Sequence, residues 1–161
     1  MAMEPITPAD PQQPRGLSRL PSWLVGQVAR HANRIVSQTL GEAGMRKQHF
    51  AVLTALAEQG SASQAALGRR VWMDRSDLHA VLNDLEGDGL VARVRDEQDR
   101  RRNLLALTSA GGEALKQLNV RVEAAQAVLL EPLSTEERRE LRRLLTRLEE
   151  HHAERRGSPV G

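Results

Sequence analysis

The 161-residue chain contains no cysteine. That absence excludes a disulfide framework, a thiolate nucleophile, a cysteine-ligated zinc finger and a thiol-based redox sensor. Aromatic residues are almost as scarce: Trp23, Phe50 and Trp72 are the whole set, with no tyrosine. A chain so poor in flat side chains does not carry the stacking platforms that grip single-stranded nucleic acid. No stretch approaches the roughly 20 apolar residues that a membrane-spanning helix needs, so no membrane partner is expected. The first sixteen residues, MAMEPITPADPQQPRG, hold four prolines and no apolar run, so the expectation is no signal peptide and a cytoplasmic location. Net charge is scarce too: 23 Lys and Arg against 21 Asp and Glu leave only +2. Such a balance does not announce a polyanionic partner; only the local placement of charge can. Lysine itself is nearly missing, since 21 of the 23 basic residues are arginine. Two readings of that excess stand side by side: arginine suits bidentate phosphate and base contacts, and GC-rich coding also raises it.

What is present is a folding composition, with 40% hydrophobic and 27% charged residues. The length suits one domain or two fused lobes. Residues 1–16 read as a disordered Pro-rich head, 155–161 as a tail, and 17–154 as a single unit. From about Leu20, the residues Leu24, Val28, Ala32, Ile35 and Thr39 repeat at helical spacing, and Gly41 and Gly44 punctuate the end. A second helix over about 45–59 places Phe50, Leu53, Leu56 and Ala57 on one face. A short helix over 63–70 follows, with Ser61 and Gln64 spaced as a capping box. After the break Val71-Trp72-Met73, Asp74 N-caps a helix with the apolar stripe Leu78, Val81, Leu82 and Leu85. The period then shortens to alternation, with Leu90, Ala92 and Val94 on one face of a strand and Val91, Arg93 and Arg95 on the other. Residues 96–101 fit a hairpin tip and 102–107 the returning strand. Thr108 or Ser109 caps the next helix, whose Leu115, Leu118, Val122, Ala125 and Leu129 form a seam for packing on another helix. Pro132 breaks it, and Ser134 with Glu137 forms a capping box for a last helix bearing Leu141, Leu144, Leu145 and Leu148.

Two helices joined by a three-residue turn make a helix-turn-helix, and the hairpin after it makes a wing. The predicted fold is mainly α with one small β-hairpin: a winged helix-turn-helix lobe over about 45–108 and a helical dimerisation lobe from about 17–41 and 109–154. On the helix from Asp74, about 100° per residue sets Ser76, Ala80 and Asn83 opposite the apolar stripe, flanked by His79, Asp77 and Asp84. Asparagine can bond adenine, serine can donate or accept, and alanine can touch a thymine methyl. Residues 74–88 nevertheless hold five acids and only one basic residue, Arg75, so phosphate attraction must come from elsewhere. For Asp77, helix capping and reading a cytosine amino group both remain open. The basic charge sits in the hairpin, where Arg93, Arg95, Arg100, Arg101 and Arg102 face three acids and suit the negative minor groove. Asp99 is placed to orient Arg101. Ser63 and Gln64, at the start of the short helix, are candidate phosphate contacts.

The run DRSDLHAVLNDLEGDGLVARVRDEQDRRRNLLALTSAG, Asp74 to Gly111, resembles the signature of the MarR family of winged-helix regulators. The matching elements are Asp74-Arg75, Leu85-Glu86, Gly89-Leu90-Val91, the wing residues Asp96, Asp99 and Arg101, then Leu107-Thr108 and Gly111; SQAALGRR at 63–70 resembles the preceding helix. The resemblance implies a homodimer with interlocked terminal helices, bound to a palindromic double-stranded site. It places the recognition helix in the major groove and the wing in the minor groove, with Arg101 the minor-groove residue and Asp99 its partner. It also implies a transcriptional regulator, commonly a repressor, released from DNA by a small aromatic or phenolic ligand. Trp72 departs from the pattern, standing where the family often has glycine. Candidate ligand contacts are Trp23, Arg30, His31, Arg46, His49 and Phe50, where a carboxylate would pair with arginine and an aromatic ring would meet Trp or His. No cofactor, metal site or enzymatic activity is expected: there is no phosphate-binding loop and no nucleophile–base pair, and the adjacent His151 and His152 diverge on a helix. A ligand-independent regulator and a helical protein-interaction module are the alternatives.

Overall fold

The computed structural model describes residues 16–96, 99 and 103–157. A 3-10 turn at Leu17–Arg19 leads into α1 (Pro21–Gly41), α2 (Lys47–Gln59), α3 (Gln64–Arg70) and α4 (Arg75–Gly87). The strands β1 (Val91–Arg95) and β2 (Asn103–Leu107) follow, and then α5 (Ser109–Leu129) and α6 (Thr135–Gly157). The order is the one the hydrophobic periods predict, mainly α with one hairpin.

The winged lobe has a closed apolar core. The stripe Leu78, Val81, Leu82 and Leu85 of α4 is fully covered, and it meets Val52, Leu53 and Leu56 of α2, Leu67 of α3 and Leu105 of β2. Leu115 and Leu118 of α5 and Leu40 of α1 close the same cluster from the side of the helical lobe. The buried face of α2 is rotated from the expected one: Val52 and Ala55 are buried and Ala57 is exposed.

The hairpin is antiparallel, running in register from Val91 opposite Leu107 to Arg95 opposite Asn103. Its expected alternation fails. Leu90 and Val91 are both buried, whereas Val94 is 39% exposed. Only the base of the hairpin rests on the core; farther out, both faces of the ribbon meet solvent and alternation loses its meaning. Ala62 makes an isolated bridge to β2, exchanging two backbone bonds of 2.9 and 2.8 Å with Leu105. Ala62 is thus held extended, and Ser63 rather than Ser61 becomes the N-cap of α3, its Oγ accepting the Ala66 N–H at 3.3 Å.

Thr108 and Gly111 join the wing to α5. Thr108 Oγ1 accepts the Gly111 N–H at 2.9 Å and donates to the Gly89 carbonyl at 2.7 Å, while the Thr108 N–H reaches the Leu90 carbonyl. A Cβ on Gly111 would lie 2.0 Å from the Leu90 oxygen, so only glycine lets α5 start this close to the strand. At the start of α6 both arms of a capping box form: Ser134 N–H donates to Glu137 and Glu137 N–H to Ser134 Oγ. The Ser134 backbone N–H, and after it the Ser134 hydroxyl, hold the Glu137 carboxyl below its usual range.

Candidate nucleic-acid interface

The start of α4 is built by Asp74. Its carboxylate accepts the Asp77 N–H at 2.8 Å and the Ser76 hydroxyl at 2.8 Å, and the two bonds, the backbone one foremost, lower its pKa. Asp74 is therefore the side chain that satisfies the helix start, and Asp77 contributes an N–H to that cap while its own side chain stays exposed. With its proton given to Asp74, Ser76 offers acceptor lone pairs outward.

Ser76, Asp77, His79, Ala80 and Asn83 are all exposed on α4, opposite the buried stripe. Asn83 Nδ2 lies 3.3 Å from His79 Nε2, so the two side chains are mutually positioned one turn apart. Gln64 of α3, Asp74, Arg75, Ser76 and His79 of α4 and Arg93 of β1 line one open groove. This groove gathers expected contacts from three elements onto one face. Arg93 is held there by Glu86, with Nε 2.9 Å from Oε1, an electrostatic pair rather than an aligned hydrogen bond. Arg95 and Asp99 are exposed on the wing, and Arg100, Arg101 and Arg102 lie outside the described residues.

The expected ligand contacts do not assemble in the same way. Trp23 is half-buried, His31 is exposed, and Arg30 bonds Gln27 on its own helix. Phe50 packs on the apolar core. Arg46 and His49 are engaged elsewhere, with Asp84 of α4. A groove of about 430 Å³ does open between α1, α6 and the helix-helix turn, but Val25, Trp72, Leu145 and Leu148 contribute to it and none of the six candidates does. Asp84 and Glu86 are the partners that sequence reasoning missed. Each pairs with a residue of another element, and no local pattern announces such a pair.

Trp72 adopts φ +53°, the left-handed conformation that glycine would take at this point, and its side chain is 70% exposed. The turn thus keeps a left-handed backbone despite the bulky residue. No group of three or more potential ligand side chains is placed to hold a metal, and no helix is long and apolar enough to cross a membrane, among the described residues.

The MarR family model matches residues 43–102, which span α2 to the wing. The transcriptional repressor Rv2887 of Mycobacterium tuberculosis is 31% identical over 126 residues, covering 78% of this chain and 88% of that relative. The chain belongs to the MarR family. Two crystal structures of Rv2887, identified as a MarR family protein, superpose on it. The DNA complex gives a TM-score of 0.70 at 28% identity over 80% of this chain and 97% of the other. The complex with salicylic acid gives 0.67 at 29% identity over 80% and 96%. MarR membership carries transcription regulation and DNA binding, and the α3–turn–α4–wing unit is its winged helix-turn-helix. The MarR signature also acquires a physical basis in this chain: Asp74 caps the recognition helix, Glu86 fixes Arg93, and Thr108 with Gly111 joins the wing to α5.

Proposed function

We propose that this MarR-family protein is a homodimeric repressor that binds a palindromic double-stranded operator and leaves it when a small aromatic anion binds. The observation that carries the reading is the groove in which Gln64, Arg75, Ser76, His79 and Arg93 converge beside the exposed face of α4. In this reading Ser76, Asp77, His79, Ala80 and Asn83 face base edges in the major groove, with Asn83 suited to adenine. Ser63, Gln64, Arg75 and Arg93 hold phosphates, and Arg95, Arg100, Arg101 and Arg102 bring the wing to the minor groove with Asp99 orienting Arg101. Two-fold symmetry sets the half-sites about 10 bp apart.

The helical lobe supports dimerisation. Leu20, Leu24, Val25 and Val28 near the start of α1, Val120 and Val128 of α5, and Leu144, Leu145 and Leu148 of α6 are all exposed in one chain. A second copy would cover an apolar surface of that extent. Repression and the binding of an aromatic anion are supported by Rv2887, a repressor whose structure with salicylic acid resembles this chain, and release on binding is this reading's own further step. Trp23, Arg30 and His31 remain candidates for such an anion.

The test is a titration of a duplex from the region flanking the gene, against a scrambled duplex, at two salt concentrations. Binding to the first should be selective and fall steeply with salt; equal affinity for both duplexes would sink the reading. Arg101→Ala should weaken binding and flatten the salt slope by about one unit. Wild-type affinity in that variant would remove the wing from the mechanism.

A further inference from the structure

We propose that Arg46, His49 and Asp84 form a clamp that fixes the pose of the recognition helix α4 on α2, making all three positioning residues for DNA readout. This rests on the DNA-binding reading and extends it to residues that need not touch DNA. His49 is the one buried polar or charged residue among those described, at 6% exposure. Both of its ring nitrogens are used. Nδ1 accepts the Arg46 backbone N–H at 3.1 Å, which makes it the unprotonated nitrogen and leaves the proton on Nε2. Nε2 lies 3.2 Å from Asp84 Oδ2 and donates to it. Arg46 Nη2 donates to the same oxygen at 2.6 Å, so two donors from the start of α2 converge on one carboxylate of α4. The 3.2 Å approach of Arg46 Nη2 to His49 Nε2 follows from that convergence, since both atoms are donors.

Local forces disfavour each charged member of the clamp. Arg46 occupies the N-cap of α2, where arginine has no oxygen to offer the free N–H groups and its charge opposes the helix dipole. Asp84 stands in the last turn of α4, where a carboxylate also opposes the dipole, on the helix that faces a polyanion. Neither placement helps its own helix; together they tie two helices. The tie has a geometric purpose. The stripe Leu78, Val81, Leu82 and Leu85 holds α4 on the core, but apolar packing carries little directional information. Directed bonds from Asp84 to α2 fix the roll of α4, and with it the direction in which Ser76, Ala80 and Asn83 point. Because Arg46 and Asp84 are half-exposed, their pair adds little to overall stability, and its effect belongs in recognition.

Asp84→Ala separates positioning from electrostatics, because the two predict opposite signs. Removing a negative charge from the DNA-facing helix should tighten binding to every duplex if charge alone acts. A positioning role predicts about tenfold weaker binding to the promoter duplex, unchanged or tighter binding to the scrambled duplex, and a melting temperature near wild type. Arg46→Ala added to Asp84→Ala should cost the promoter-to-scrambled ratio no more than Asp84→Ala alone. His49→Gln, which keeps an N–H donor, should preserve more of that ratio than His49→Leu. Should the histidine variants fail to fold, Asp84→Ala and Asp84→Asn decide the matter from the surface. An Asp84→Ala protein that discriminates as well as wild type overturns the clamp and leaves the regulator reading standing. A wild-type protein that does not discriminate overturns the regulator reading, and the clamp falls with it.

Discussion

The winged lobe and the helical lobe are made from the same kinds of residue but finish their cores differently. In the winged lobe, α4 buries four side chains and α2 buries five, His49 among them, all within one chain. In the helical lobe, no described side chain of α6 is buried, and Leu144, Leu145 and Leu148 are 43%, 45% and 54% exposed. The leucines of α4 and α6 are spaced alike, so periodicity does not separate them; what separates them is whether the chain itself supplies the opposite wall. Low net charge teaches a parallel lesson. Three of the five acids over 74–88 are occupied within the protein: Asp74 by the helix start, Asp84 by α2, and Glu86 by Arg93. An acidic helix is compatible with a polyanionic partner when most of its carboxylates are held by neighbours, which on the outward face of α4 leaves Asp77 among Ser76, His79, Ala80 and Asn83.

The sharpest way to break the contrast is at the joint between the lobes. Gly111→Ala should destabilise the protein by about 3 kcal/mol or more, because its methyl group would meet backbone at Leu90 and cannot be relieved by a side-chain rotation. Thermal melts should show both lobes affected together. Next in size is Leu145→Glu with Leu148→Glu. In a self-sufficient monomer, such exposed changes alter stability by no more than about 0.5 kcal/mol. In a dimer closed over these leucines they should shift sedimentation towards the monomer while the melting of the winged lobe persists. A dimer that survives both charges would move the interface away from α6. The smallest effect is expected for Trp72→Gly. Relief of the left-handed backbone is worth about 1–2 kcal/mol, offset by about 0.5–1 kcal/mol for the freer unfolded glycine. A modest rise in melting temperature is therefore expected, whereas a clear fall would show that the indole is covered in the assembled protein.

Much of the fold is legible in the sequence because it is local. The stripe of α4, the Asp74 cap and the Ser134–Glu137 box each lie within a few residues, and the bonds form as spacing predicts. What escapes is long-range. Ser61 and Ser63 are equally good caps by type, and the choice falls to Ser63 because Ala62 pairs with Leu105, more than forty residues away. The alternation of β1 is real as a pattern, but burial depends on how far the ribbon leaves the core. On the candidate site, the outward set on α4 follows from a helical wheel. Arg46 and His49, in contrast, suggest an anion site by type and are instead held by Asp84, a partner 38 and 35 residues on.

The Thr108 side chain has a kinetic consequence. Its hydroxyl bridges the Gly89 carbonyl and the Gly111 amide, and its own amide meets the Leu90 carbonyl. The segment leaving α4 and the first turn of α5 therefore share one knot of bonds, which couples the opening of one to that of the other. Amide protons at Thr108 and Gly111 should therefore exchange at a common rate, and hydrogen exchange at the root of α5 would then also time the loosening of the base of the wing.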